Sequence, residues 1–244
     1  MNGKACIVTG ASRGIGAATA RMLEDEGARV LRVSRTSDDL ACDVTDPDAA
    51  ERIVGACLER FGRVDALVNN AGTSRARSLD ELTDADWAEQ WELNVMAPMR
   101  LMQAVAPRMA EAGEGRIVNV TSSSGKRPSP RNGAYSVTKA AQLSLSRVYA
   151  DRWAGTGVLV NAVMPGPIAT PLWVAEGGLA DQTAEQEGIS REEALERAAA
   201  KIPLGRMGTE DEIAAVVVFL CSPRASNVTG AAWAADGGAV PLMF

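Results

Sequence analysis

The chain has 244 residues, a net charge of −6, 46 % hydrophobic and 23 % charged residues, and no histidine. That balance is enough for a full core and argues against broad attraction to nucleic acid or an anionic membrane. It also removes the Ser-His-Asp triad, histidine-ligated zinc and the commonest general base, so any chemistry must run on another group.

The first element is "KACIVTG" (4–10), an apolar run that reads as a buried strand. It starts too soon after Met1 to follow a charged region and a long apolar stretch, so no signal peptide is expected. A helix at 14–26, a strand at 28–34, a helix at 47–61 and a strand at 64–70 come next. Then follow a long helix at 84–112, a strand at 115–122, a helix at 135–154, a strand at 157–166, a helix at 209–221 and a weaker strand within 230–238. Strands alternating with helices predict an α/β fold with a parallel sheet covered on both faces. No linker, repeat or change of composition divides the chain, so one domain over 1–244 is expected.

Residues 171–203 break this rhythm. They carry no strand pattern, hold Gly177, Gly178 and Gly188, and contain an acidic helix led by Ser190 with Glu193 three residues on, which predicts a capping box. Excursions of this length are often mobile lids over a site; a peripheral helical hairpin is the alternative. Cys6, Cys42, Cys57 and Cys221 show neither CxxC nor metal-like spacing and read as small buried hydrophobes of a reduced, cytoplasmic protein with no metal site. No apolar run approaches the roughly 18 residues that a membrane span needs.

The turn between the first strand and first helix, "VTGASRGIGAATA", is punctuated by Gly10, Gly14 and Gly16. Glycines there let the backbone turn tightly and approach a pyrophosphate, whose charge meets the helix N-terminus. The spacing is G-x3-G-x-G, and a plain βα turn is the alternative. The second strand ends "RVSRTSDD", offering Ser34 and Arg35 where a ribose 2′-hydroxyl is usually met by a carboxylate. Arg35, with Arg13 of the glycine loop, suits a phosphate that guanidinium groups grip bidentately. The pair favours NADP over NAD.

In "AYSVTKAA" (134–141), Tyr135 and Lys139 stand four apart on one helical face. A free phenol has a pKa near 10, and a neighbouring ammonium lowers it. Lys139 is therefore expected to tune Tyr135 into an acid–base group.

The chain resembles the short-chain dehydrogenases/reductases from end to end. The matching stretches are "TGASRGIG" (9–16), "DV" (43–44), "NNAG" (69–72), Asn94, Ser122, "YSVTK" (135–139) and "PGPIAT" (165–170). The resemblance implies a doubly wound Rossmann-type sheet of about seven parallel strands. It also implies hydride transfer between a nicotinamide and a carbonyl or alcohol, and a homotetramer or dimer built partly on helices 84–112 and 135–154. Asn94, Ser122, Tyr135 and Lys139 match the family's catalytic tetrad, in which Ser122 holds the substrate oxygen, Lys139 also bonds the nicotinamide ribose, and Asn94 bends its helix and holds a water. Gly10, Ser12, Arg13, Gly14, Ile15 and Gly16 match the pyrophosphate loop, Asp43 and Val44 the adenine contact, and Asn70, Ala71 and Gly72 the adenine ribose. Pro165, Gly166, Ile168 and Thr170 match the carboxamide loop.

For the substrate the residues leave alternatives open. Lys126, Arg127 and Arg131 in "SSSGKRPSPRNGAY" either greet an anionic thioester carrier or are solvated. Trp173, Leu172 and Leu179 either line an apolar pocket or pin the lid. The family includes reductases of 3-oxoacyl thioesters and dehydrogenases of polyols and hydroxy acids. The longer, acidic 171–203 segment disfavours the plain fatty-acid role. A dinucleotide-binding regulator and a dehalogenase-type lyase are less consistent with an intact Ser122, Tyr135, Lys139 and glycine loop. The apolar C-terminus "AVPLMF" is expected to pack across a subunit interface.

Overall fold

Strands buried on both faces can be apolar at every position, because helices cover them above and below. β1 (Ala5–Thr9) is buried throughout, as are β4 (Ala66–Asn69) and β5 (Gly115–Val120). With β2 (Arg29–Ser34), the short β3 (Leu40–Ala41), β6 (Val158–Pro165) and β7 (Ala232–Ala235) they form one parallel sheet. The strand order is β3-β2-β1-β4-β5-β6-β7 in this computed structural model, which describes residues 1–241. The order reverses between β1 and β4, where an open α/β sheet forms its crevice beyond the carboxyl ends of the strands.

Alternate strand residues feed opposite faces. Ile7, Leu67 and Ile117 join Ile53 and Cys57 of α2 (Ala49–Phe61) and Leu101, Met102, Val105 and Met109 of α4 (Ala97–Glu111). Ala150 of α5 (Gly133–Trp153) completes that side. Cys6, Val8, Val68 and Val118 instead join Leu23 of α1 (Gly14–Asp25) and Ile213, Val217 and Cys221 of α9 (Glu210–Cys221). All four cysteines are free and buried. The predicted three-layer α/β architecture is the one observed.

Four details differ from the sequence expectations. β3 has two residues, too few for a periodic signal. The 84–112 helix is not continuous: α3 (Asp84–Trp91) passes into a π-turn, Glu92–Met96, before α4. Asn94 sits in that turn, and Pro98 favours it. Four residues after Asn94, it has no N–H for the Asn94 carbonyl and its ring would crowd it, so the ladder widens and the Ala97 N–H reaches back to Glu92. The Ser190 cap is half a box: its hydroxyl accepts from the Glu193 N–H at 3.1 Å, while the Glu193 carboxylate turns to Arg197 at 2.6 Å. Arg32, a cation in the middle of the apolar β2, has a double ion pair with Glu24 of α1 at 3.1 and 2.7 Å.

The 171–203 segment contains α6 (Pro171–Val174), α7 (Leu179–Glu187) and α8 (Arg191–Ala200) and no strand. In the C-terminal stretch, the Ala239 carbonyl accepts a hydrogen bond from Arg127 at 3.2 Å; residues 242–244 lie outside the described residues.

Gly157, which leads into β6, has φ +85, and a Cβ there would lie 2.1 Å from the Gly113 carbonyl oxygen. Gly157→Ala combines left-handed strain with a backbone clash. It is expected to cost about 3 kcal/mol of stability, read as a lower urea midpoint at unchanged m-value.

Candidate active site

A cleft of about 940 Å³ runs across the carboxyl ends of the central strands. It is lined at one end by Arg13, Ser34, Arg35, Asp43 and Val44, and at the other by Ser122, Tyr135 and Lys139. Most sequence-predicted site residues meet there: Gly10, Ser12, Gly14, Ile15, Asn70, Ala71, Gly72, Pro165, Gly166, Ile168 and Thr170 also border it.

Two predicted residues do not reach the cleft. Gly16 lies behind the turn, where a Cβ would stand 2.3 Å from the Gly10 oxygen and 2.4 Å from the Asn70 amide nitrogen. Its role is close packing of α1 against the loop, the task of the last glycine in such turns. Asn94 is fully buried, and its amide nitrogen donates to Gln90 Oε1 at 2.9 Å and Thr138 Oγ1 at 3.2 Å. Its Oδ1 has no partner among the described residues.

Thr9, which the sequence reading missed, organises the loop above β4. Its hydroxyl accepts from the N–H groups of Asn70 (3.0 Å) and Ala71 (3.1 Å) and donates to the Val68 carbonyl at 3.3 Å. The Asn70 side chain returns to the Thr9 and Gly10 carbonyls at 2.9 and 3.2 Å. Gly10, at φ +66, leaves no room for a side chain, since a Cβ would come within 2.9 Å of Ala71 Cα. Further along the cleft, the Asp43 carboxylate accepts from the Thr45 N–H (3.0 Å) and hydroxyl (2.8 Å). Those bonds, with the Arg35 charge, hold it below the usual carboxylate range. Arg13 and Arg35 are exposed, and their guanidinium groups make no hydrogen bond or ion pair among the described residues.

At the far end Ser122 follows β5 with extended backbone, and its Oγ accepts from the Ser124 N–H at 3.1 Å, which leaves its proton to give. Tyr135 and Lys139 come from the first turns of α5. Burial pushes the Tyr135 phenol up, and a hydrogen bond with the Ser122 hydroxyl pulls it back down. Burial pushes Lys139 down to about 7. Burial comes first among the causes that set the phenol's direction, and no contribution from the lysine accompanies it. The ammonium lies 5.6 Å from the ring centroid and spends its hydrogen bonds elsewhere, on the Val120 carbonyl (3.1 Å) and Gln142 Oε1 (3.0 Å).

The 171–203 segment borders this end: Leu172, Trp173 and Leu179 line the cleft. α7 is clasped to the loop after β4, where Gln182 Oε1 accepts from the Ala76 N–H and Gln186 donates to the Ala76 carbonyl, each at 2.9 Å. Arg131 pairs with Glu187 of the same helix. Neither Lys126, Arg127 nor Arg131 lines the cleft. Arg75, Glu89 and Asn132 do, and no motif singled them out.

A family model described as enoyl-(acyl carrier protein) reductase matches residues 10–240. The short-chain reductase protein NovJ of Streptomyces niveus is 36 % identical, over 95 % of this chain and 92 % of that one. The 3-oxoacyl-[acyl-carrier-protein] reductase FabG of Thermotoga maritima is 34 % identical, over 98 % and 99 %. The chain belongs to the short-chain dehydrogenase/reductase family. A crystal structure of L-sorbose reductase from Gluconobacter frateurii, complexed with NADPH and L-sorbose, superposes with a TM-score of 0.92. The two are 33 % identical, over 100 % of this chain and 98 % of that one.

As a short-chain dehydrogenase/reductase the protein is an oxidoreductase, and the resemblance carried by "TGASRGIG", "NNAG" and "YSVTK" was a correct reading of family and fold. The positions that motifs do not mark were visible only through other signals. Thr9 is the last residue of a strand before a glycine turn. Gln142 stands three residues after Lys139, on the same helical face.

Proposed function

We propose that the chain moves hydride between NADP(H) and a ketone or its secondary alcohol, with Tyr135 exchanging the proton. The observation that carries this reading is the pairing of two ends of one cleft. Two guanidinium groups without an anion partner among the described residues, Arg13 and Arg35, stand at one end; a phenol, a hydroxyl and an ammonium meet at the other. The cradle fits the dinucleotide: Gly10 and Gly14 expose backbone at φ +66 and +58, at the N-terminus of α1.

NADPH, when bound, supplies the hydride. Arg13, Arg35 and Ser34 would hold its 2′-phosphate, Gly10, Ser12, Gly14 and Ile15 its pyrophosphate, and Asp43 and Val44 its adenine. Asn70, Ala71 and Gly72 would line the adenine ribose; Pro165, Gly166, Ile168 and Thr170 would line the carboxamide. The Ser122 hydroxyl donates to the substrate oxygen where negative charge grows. Tyr135 gives that oxygen its proton, and a phenol pushed up by burial retains the proton until then. The resulting phenolate faces the Lys139 charge, which also orients the nicotinamide ribose. Asn94 Oδ1 and Lys139 Nζ both approach the bare Cα of Gly72, where a Cβ would lie 3.5 and 3.6 Å from them. A water bridging the two would satisfy the orphaned oxygen and would replace the proton that Lys139 passes to the Tyr135 phenolate after turnover. No histidine is required.

The substrate end is polar on one side (Ser123, Ser124, Asn132, Arg75) and apolar on the other (Leu172, Trp173, Leu179). That suits a ketone with a polar and a carbon-rich face. The segment 171–203 acts as its lid. Removing the clasp with Gln182→Ala/Gln186→Ala should raise the substrate KM about tenfold, from the loss of two hydrogen bonds of about 0.7 kcal/mol each in a partly solvated setting. The NADPH dissociation constant should stay within twofold; a shift in NADPH binding alone would refute the lid. The exposed Trp91, Val137 and Val148 on α3 and α5 support a homotetramer or dimer joined through these helices. The reading places the protein in the cytoplasm. No helix among the described residues is long and apolar enough to cross a membrane.

The deciding experiment is a carbonyl panel (ketoses, 3-oxo esters, cyclic ketones) assayed with NADPH and NADH by absorbance of the reduced nicotinamide. Turnover with NADPH supports the reading. Binding of NADPH without turnover of any ketone would replace it with a dinucleotide-binding regulator.

A further inference from the structure

Lys139 is a buried lysine, 2 % exposed, and no carboxylate influences its charge. An ammonium so placed must be held by neutral dipoles or lose its proton. Two of its three protons are held, one by the Val120 carbonyl at 3.1 Å and one by Gln142 Oε1 at 3.0 Å. The first partner is backbone and would be there whatever the sequence. The second is a choice: Gln142 is 1 % exposed, on the core side of a helix where an aliphatic residue would fill the space.

Gln142 is itself anchored. Its backbone carbonyl accepts from Ser146 Oγ at 2.9 Å, Ser146 Oγ accepts from the Asn119 amide at 2.8 Å, and Asn119 Oδ1 accepts from Asn69 at 2.8 Å. Asn69 and Asn119 are register partners on β4 and β5, so the chain of hydrogen bonds ties α5 to the two central strands just below the cleft. All four side chains are buried. Asn69 Oδ1 at the far end has no partner among the described residues, so the ordering rests on the paired links from Gln142 to Asn69.

We propose that Gln142 is a positioning residue for proton transfer: its amide oxygen fixes the Lys139 ammonium and helps keep it charged without cancelling that charge, leaving one proton free toward Gly72, Asn94 and the cleft. This rests on the role proposed above for Lys139. A carboxylate in its place would neutralise the lysine, and an alkyl group would strip it of an acceptor. The amide stands between these extremes. The other groups around Lys139 are the Tyr135 phenol on α5, the Asn94 amide on the π-turn and the Val120 carbonyl on β5; of these only Tyr135 titrates.

The test is the pH profile of kcat/KM for NADPH-dependent reduction of L-sorbose or ethyl acetoacetate, in the wild type and in Gln142→Leu, Gln142→Glu and Lys139→Met. The reductive rate falls as pH rises through the lysine's pKa. Losing a hydrogen bond to a charged group lowers that pKa by about one unit or more, so Gln142→Leu should move the alkaline limb down by about one pH unit. Gln142→Glu should move it up. A residue that only fills space would not shift the limb in opposite senses. If Gln142→Leu fails to fold, the Glu variant decides, and a limb at the wild-type pH overturns the proposal. An unmoved limb in a folded Leu variant, with Lys139→Met inactive, overturns it alone. Wild-type turnover in Lys139→Met overturns the underlying role of the lysine as well.

Discussion

Tyr135→Phe should lose about three orders of magnitude in kcat while NADPH binds with near wild-type affinity. The size follows from general acid–base catalysis, in which one positioned proton donor contributes about 10²–10⁴-fold. The substitution removes one oxygen and leaves the ring that lines the cleft. The Ser122 Oγ still accepts from the Ser124 N–H, so the loop beneath survives. Fluorescence titration with NADPH and steady-state turnover separate the two effects. A Phe variant with normal kcat would remove Tyr135 from the mechanism, whatever the family resemblance. Equal losses of binding and turnover would mean that the hydroxyl is structural.

Arg35→Asp should weaken NADPH by about a hundredfold and improve NADH, inverting the cofactor preference. A bidentate guanidinium–phosphate contact contributes about 1.5–3 kcal/mol, and the new carboxylate adds repulsion to the lost attraction. It also stands near Asp43, whose acidity the Arg35 charge now supports, so Asp43 should rise toward ordinary carboxylate values. Stability should barely change, since Arg35 is exposed and has no ion-pair partner among the described residues. Comparing kcat/KM for the two cofactors in both proteins is sufficient. An unchanged ratio would mean that Arg13 alone, or neither arginine, recognises the phosphate.

Much of the site was legible because short-range chemistry writes short motifs. A backbone that must approach a pyrophosphate calls for glycine at Gly10 and Gly14, and a helical face that holds a phenol and an ammonium calls for a four-residue spacing. Such demands fall on neighbours in the chain. The π-turn was also legible in principle, since Pro98 lies four residues after Asn94; a periodicity reading sees apolar spacing and misses a single absent N–H. β3 left no signal because two residues have no period.

The alternation of strands and helices determined the parallel α/β sheet, and the motifs that resemble the short-chain dehydrogenases/reductases gave the family and most residues of the cleft. The tertiary structure decided what surrounds them. It showed that Gly16 and Asn94 work from behind the cleft and that α7 grips Ala76 through two glutamines. It also placed the Lys139 ammonium on the Val120 carbonyl and Gln142 Oε1. The reason is that desolvation and hydrogen bonding depend on which distant segments close over a group. Val120, Gln142 and Asn94 come from three elements, and no local reading of the chain brings them to one lysine.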